Sequence, residues 1–257
     1  MKNNMRNFFK KNTLLKFIVI NIRILRNRHS IIDKIKKLCI YYKDLYRLEK
    51  THPKFEILLN DLYPCIYDKT ETTPVGAVYF YQDSWCARKI FETKPIEHFD
   101  IGSKAEMVGI ISQFTPTTMI DIRPITLTLP DLSFIEGNIL KLPFEDKTIP
   151  SLSSICVVEH IGLGRYGDTL DPFGSEKAIK ELIRVLAPRG NLFISVPIDT
   201  VNKIYFNAHR AFTREYILEL FEELNLIEER YIYGDHLQTT YEPKKGFGTG
   251  LYYFRRS

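Results

Sequence analysis

Residues 97–106 read E-H-F-D-I-G-S-K-A-E. Apolar residues lead into Asp100, Ile101 and Gly102, and Ser103, Lys104 and Ala105 open what reads as a helix. This is how the first strand of an open parallel sheet delivers a cofactor loop. The loop holds one glycine where the usual one holds two or three.

Downstream of this turn the chain alternates regularly. A helix over 104–114 leads to a strand at 118–122 that ends in Asp121 and Ile122. A short strand at 132–136 precedes Gly137 and Asn138, and a strand at 151–158 runs into Glu159 and His160. The apolar stripe Ala178, Leu182 and Val185 predicts a helix over 175–186, stopped by Pro188-Arg189-Gly190, and 191–196 reads as another strand. Thr213 caps a helix through Leu224. The last two strands, 227–233 and 251–254, flank a glycine-rich stretch at 246–250 that reads as a hairpin. Strand, helix, strand at this spacing means parallel pairing through right-handed crossovers.

Upstream, Trp85, Ala87, Ile90 and Phe91 mark a short helix. Tyr81, Gln82 and Asp83 ahead of it are candidates for a lid, Asp83 also for a helix cap. Pro53, Pro64 and Pro74 with the T-E-T-T run break any long element, which puts a domain boundary at 74: a basic helical extension and linker over 1–74, an α/β domain over 75–257. Residues 1–50 hold 14 Lys and Arg against 3 Asp and Glu, a charge of +11 where the whole chain carries +5, so 51–257 carry −6. Two helices fit this segment. The clearer one starts after Ser30, with Ile31, Ile35, Leu38, Tyr42 and Leu45 on one face and Lys34, Lys37, Lys43 and Arg47 around it. It reads as a helix packed on its own protein or as one docked peripherally on an anionic membrane, with the chain cytoplasmic.

Lys16, Asn21 and Arg23 interrupt the apolar run at 14–25, so it is not a span. With no acidic residue before Asp33, an organelle presequence stays open as a minor reading. Cys39, Cys65, Cys86 and Cys156 lack zinc or disulfide spacing, and no metal site is expected.

In an open parallel sheet ligands bind beyond the carboxyl ends of the strands. Asp100 and Gly102 end the first strand, Asp121 the second, Asn138 the third, and Glu159 and His160 the fourth. Asp121 stands about 20 positions after the glycine turn, where an acid accepts both hydroxyls of a ribose. Asn138 is placed to meet an adenine edge. His160 is the first candidate for a base and His209 the second, each weighed against a structural role. Gly162, Gly164 and Gly167 surround Arg165 and Tyr166 in a loop closed by Asp168; it reads as an acceptor-side loop or a plain surface turn, with Arg165 suited to a carboxylate or phosphate.

These motifs resemble the class I S-adenosylmethionine-dependent methyltransferases over about residues 79–254. D-I-G-S resembles their first motif, I-D-I-R the second, G-N-I-L-K-L-P-F the third with Asn in the usual Asp place, and L-I-R-V-L-A-P-R-G-N-L the helix and turn before the fifth strand. More narrowly, Y-F-Y-Q-D-S-W, V-V-E-H-I-G-L-G-R-Y-G-D and F-N-A-H-R resemble the methyltransferase-like domain-of-unknown-function family 268.

The resemblance implies a Rossmann-like α/β sheet, mostly parallel with an antiparallel last strand, behind an N-terminal helical extension. It also implies S-adenosylmethionine as cofactor, held by Asp100, Gly102, Ser103, Asp121, Ile122, Asn138 and Glu159. Arg165, Tyr166 and Asp168 would then meet the acceptor, a small molecule or a glycan methylated on oxygen. Lys104 and Glu106 replace the later glycines of the general loop, which keeps a non-catalytic scaffold as an alternative. A nicotinamide oxidoreductase would need G-x-G-x-x-G, of which only Gly102 is present. No Pro-Pro-aromatic signature follows the fourth strand, so no specific nucleic-acid substrate is expected.

Overall fold

The computed structural model describes residues 30–257. Contacts divide the chain into two compact units, Met1–Pro74 and Val75–Ser257. In the first, α1 spans Ile31–Lys50 and a single 3-10 turn follows at Leu59–Asp61. The expected apolar face is only partly used: Leu38, Tyr42 and Leu45 are half-buried, whereas Ile31 and Ile35 are exposed and Lys34 is buried. Ser30 precedes the helix without a side-chain cap bond. The first of the two predicted helices, the apolar run at 14–25 and the presequence reading lie outside the described residues. Among those residues no helix is long and apolar enough to cross a membrane.

The second unit begins with α2, Ala77–Thr93, and continues through β1, His98–Ile101, α3, Ala105–Ile111, β2, Thr117–Asp121, β3, Leu132–Glu136, and β4, Ile149–Ile155. Then come α4, Gly174–Val185, and β5, Leu186–Ile198. A hairpin of β6, Lys203–Tyr205, and β7, His209–Ala211, precedes α5, Arg214–Leu220. The chain closes with β8, Asn225–Tyr233, β9, His236–Gln238, and β10, Gly248–Arg255. The main sheet runs β3-β2-β1-β4-β5-β10-β8-β9. β1 to β5 pair with one another in parallel, whereas β10 is antiparallel to both β5 and β8, and β9 is antiparallel to β8. This is the mostly parallel sheet with an antiparallel end that the motifs implied.

Alternating side chains fill a core on each face of the sheet. On one face Leu192, Ile194, Tyr252 and Phe254 meet Ile179 and Leu182 of α4 and Ile217 of α5; on the other Phe193, Leu251 and Tyr253 meet Trp85 and Ile90 of α2 and Val108 and Ile111 of α3. Helices on both faces leave the carboxyl ends of β1, β2 and β4 open above the sheet, which is where an open parallel sheet takes its ligands.

Three sequence expectations are corrected. β4 stops at Ile155, because Cys156 takes φ +55 and Val158–His160 closes as a 3-10 turn, so Glu159 and His160 stand beyond the strand. Asp83 is interior to α2, whose 17 residues start after Gly76, and so it caps nothing. Residues 248–250 are strand rather than hairpin: a Cβ at Gly248 would lie 2.7 Å from the Ile232 carbonyl. The hairpin after β8 turns instead at Gly234, φ +61, onto β9. Neither β9 nor the β6–β7 hairpin has enough residues to establish a period of two.

Candidate functional site

The turn after β1 is held from below. Gly102 takes φ +70, which favours glycine, and its N–H donates to the Ile120 carbonyl at 2.8 Å. Asp100 is fully buried and points into the protein. Its Oδ1 accepts from the Ser103 N–H at 3.0 Å and its Oδ2 from Ser103 Oγ at 2.7 Å and from Ser153 Oγ. Ser103 Oγ accepts in turn from the Ile155 N–H at 2.9 Å. Because Ser153 donates to Asp100, its oxygen is left to accept from His98 Nε2 at 2.9 Å, and His98 Nδ1 then accepts from Ser151 Oγ at 2.9 Å. Burial raises Asp100 to about 6, against the opposing bonds from Ser153 and Ser103, and burial lowers His98 to about 3. The carboxylate expected at the cofactor therefore braces the turn.

Two cavities open above it. One of about 360 Å³ is lined by Ile101, Asp121, Ile122, Asn138 and Leu140 together with Asp168. The other, about 720 Å³, is lined by Tyr79, Ser103, Lys104, Glu159, His209 and Phe247. Gly102, Asp121, Arg123, Cys156, His160 and Tyr166 line both, so they form the shared wall.

Asp121 ends β2 with Oδ1 accepting from the Arg123 N–H at 2.8 Å. Oδ2 faces the space over Gly102, 3.9 Å from where a Cβ would stand; that Cβ would also come within 3.1 Å of Val157. Gly137 is equally constrained, since a Cβ there would lie 2.7 Å from Ile120 Cγ2. Asn138 Oδ1 accepts from the Leu140 N–H at 2.9 Å and so shapes its own turn at the cavity edge. An acid with one free oxygen beside a glycine floor fits a ribose, and the residues present therefore suit a nucleoside.

The turn after β4 is built differently. Cys156 at positive φ is an unusual non-glycine conformation of the kind that clusters at functional sites. Its thiol donates to Gln82 Oε1 at 3.0 Å, and Ser195 Oγ donates to the same oxygen at 3.1 Å. Gln82, expected in a lid, is thus a buried prop under this turn, while Tyr81 donates to the Asp235 carbonyl at 3.2 Å.

Glu159 is 1% exposed, and its Oε2 has no hydrogen-bond partner. Burial raises its carboxyl to about 8. His160 Nε2 lies 3.8 Å from Glu159 Oε1, and His160 Nδ1 donates to the Ala208 carbonyl at 2.6 Å. A carbonyl only accepts, so the proton sits on Nδ1 and Nε2 carries the lone pair. Burial, with Arg165 and His209 nearby, lowers His160 to about 4. His209 packs 6.5 Å from the His160 ring, between Tyr205 and Phe247 at 5.0 and 5.6 Å, and burial lowers it as well.

Asp168 organises the glycine loop by accepting from the N–H groups of Gly162 at 2.6 Å, Gly164 at 3.3 Å and Tyr166 at 3.2 Å. Its carboxylate is spent on backbone, where the sequence suggested an acceptor contact. The loop carries Tyr166 between the guanidinium groups of Arg123 and Arg165, 4.9 and 5.2 Å from its ring, and Arg165 also donates to the Ala208 carbonyl at 3.0 Å. Lys104 Nζ sits 5.5 Å over the Tyr79 ring.

Sequence reasoning missed Tyr79, Cys156 and Phe247. Tyr79, Gln82 and Cys86 fall on one face of α2 at i, i+3 and i+7, a helical spacing that was available as a signal. For Phe247, in an irregular segment ahead of β10, no local pattern existed.

Comparison with known proteins bears out the resemblance read from the motifs. Residues 145–236 match the family model described as Caenorhabditis protein of unknown function, DUF268. The fold is similar to that of the N-methyltransferase NodS from Bradyrhizobium japonicum in complex with S-adenosyl-L-homocysteine. The two share 17% identity over 75% of this chain and 91% of that one, with a TM-score of 0.52. It is also similar to a candidate sarcosine dimethylglycine methyltransferase from Galdieria sulphuraria, at 14% identity over 69% of this chain and 86% of that one and a TM-score of 0.52. No curated protein sequence matches the chain.

Proposed function

We propose that this chain, with its class I methyltransferase fold and its match to family 268, is an S-adenosylmethionine-dependent methyltransferase. It would act on a hydroxyl of a small-molecule or glycan acceptor. The observation that carries the reading is the shared wall of the two cavities, where the free Oδ2 of Asp121 and the side-chain-free floor of Gly102 stand at neighbouring strand ends. When bound, the cofactor supplies a methyl group on a sulfonium.

Asp121 would receive the ribose hydroxyls and Asn138 the adenine edge in the smaller cavity, with Ile122 beside them. Ser103 and Lys104 would face the amino-acid end. The larger cavity would hold the acceptor between Tyr79, His209 and Phe247, under Arg165 and Tyr166. In NodS, a protein of the same fold, the bound molecule is S-adenosyl-L-homocysteine, which supports this choice of cofactor. Methyl transfer is an in-line displacement, so holding the reactants in line supplies most of what is needed, about 7 to 11 kcal/mol. His160 Nε2, with its lone pair fixed outward by the Ala208 bond, would contact the acceptor hydroxyl.

Calorimetric titration of S-adenosylmethionine into the full chain tests the reading. Binding is expected, and Asp121→Ala should weaken it at least about tenfold, the value of about 1.4 kcal/mol, with an unchanged circular dichroism spectrum. No binding to the wild-type chain would overturn the proposal in favour of a scaffold.

A further inference from the structure

The fold satisfies Glu159 only in part: burial outweighs the bonds from its own backbone and the Cys156 thiol and the nearby charge of Arg165. Glu159 is 1% exposed, it lines the larger cavity, and its Oε2 has no partner. The titratable and charged groups sharing that lining are Cys156 from the same turn, His160 beside it, Tyr79 from α2, Lys104 at the head of α3, Asp121 and Arg123 at the end of β2, Arg165 and Tyr166 from the glycine loop and His209 from β7; Arg123 is paired with Asp121 Oδ1 at 3.4 Å. Of these, His160 comes nearest in ion-pair terms, at 3.8 Å, and its Nε2 presents a lone pair instead of a proton. Arg165 has turned its guanidinium to the Ala208 carbonyl and the Tyr166 ring. A buried carboxylate without a cation is costly, and a ligand that brings a cation removes the cost.

We propose that Glu159 is a base armed by the cofactor: it releases a proton when a sulfonium enters the larger cavity and takes one back from the methyl acceptor. The inference rests on the cofactor reading above and adds what this carboxyl does within it. Its raised position, about 8, means that it holds a proton in the ligand-free protein at pH 7.

The transfer step balances. The acceptor oxygen's lone pair forms the bond to the methyl carbon, and the carbon–sulfur bonding pair stays on sulfur as a neutral thioether. The acceptor's proton passes through His160 Nε2, which faces the acceptor hydroxyl, to the Glu159 carboxyl, whose Oε1 lies 3.8 Å away. The positive charge on sulfur and the negative charge on Glu159 disappear together, so no isolated charge is left buried.

The test is proton release measured by calorimetry at pH 7 in two buffers of different ionisation enthalpy. The probes are S-adenosylmethionine and S-adenosylhomocysteine, which lacks the sulfonium and shares the same amino-acid group. About one proton should leave per S-adenosylmethionine bound by the wild-type chain, and none for S-adenosylhomocysteine. Glu159→Gln, isosteric with the protonated acid, should release none with either. Release that persists in Glu159→Gln, or equal release with the two probes, would overturn the proposal.

Should that variant fail to fold, the wild-type chain decides alone. The affinity ratio of S-adenosylmethionine to S-adenosylhomocysteine should rise about tenfold per pH unit from 6 to 8 and then level off, and a flat ratio refutes the arming. If neither probe binds at all, the cofactor reading fails and takes this inference with it. Binding of both probes with no difference in protons defeats only Glu159.

Discussion

The turns that follow β1 and β4 are each joined to a completely buried acid, Asp100 near the end of β1 and Glu159 after β4, and treat it in opposite ways. Asp100 accepts from Ser103 N–H, Ser103 Oγ and Ser153 Oγ, and those groups are themselves tied to Ile155 and His98. Glu159 keeps Oε2 bare beside a cysteine at positive φ. Buried polar groups are normally paired, so the first acid is satisfied within the fold, whereas the second is left with one oxygen unpaired. Two adjacent loops thus divide scaffold from chemistry.

Removing each charge breaks the comparison most sharply. The folded position of Glu159, about 8, lies above its ordinary 4.5, so the native state binds the extra proton between those values and stability falls as pH rises through that window. Glu159→Gln has no proton to lose. Its stability relative to wild type should therefore climb from about pH 4.5 to 8, ending more stable by a few kcal/mol. Asp100→Asn should instead destabilise, because an amide cannot accept all three bonds, and the loss should shrink from about pH 3.8 to 6, since burial raises Asp100 to about 6 and wild-type stability falls over that window. Denaturant titrations at pH 5 and 8 read both. A Glu159→Gln variant no more stable at pH 8 than wild type would mean that the second turn is as satisfied as the first.

That contrast was invisible in the sequence, for a physical reason. The strand ends were legible: β3 falls on the expected 132–136, and Asp121 and Asn138 stand where an acid and an amide punctuate apolar runs. Which way a strand-end acid points depends on partners far along the chain. Ser153 is 53 residues from Asp100, and Gln82 is 74 from Cys156. Periodicity locates an element and its faces; it carries no information about which hydroxyl another strand brings alongside. The positive φ of Cys156 was equally hidden, because cysteine gives no cue for a left-handed residue and Ser151 to Val158 reads as unbroken strand. The inward turn of Asp100 and the bare oxygen of Glu159 are both tertiary facts.

A middle-sized effect sharpens the scaffold side. Ser153→Ala removes one donor to Asp100 and strands His98 Nε2 without its acceptor. The expected loss is about 1 to 3 kcal/mol, the usual cost of a buried polar group left unpaired. Cofactor affinity should follow only as far as Gly102 shifts, so a tenfold loss of binding with unchanged stability would move Ser153 from the brace to the site.

The smallest effect lies in the loop that runs from the second turn. Asp168 holds Gly162, Gly164 and Tyr166 by their N–H groups, and in doing so sets Tyr166 between Arg123 and Arg165. Asp168→Asn keeps one accepting oxygen and loses the charge, so overall stability should drop by only about 0.5 to 1 kcal/mol. The local consequence is larger than the global one, because Gly162, Gly164 and Gly167 all sit at positive φ with no other side chain to fix them. Amide exchange at 162–167 should quicken while β4 and β5 keep their protection. Uniform exchange across the loop and the sheet would mean that the loop is part of the braced scaffold, and the boundary between the two turns would then have to be drawn beyond Asp168.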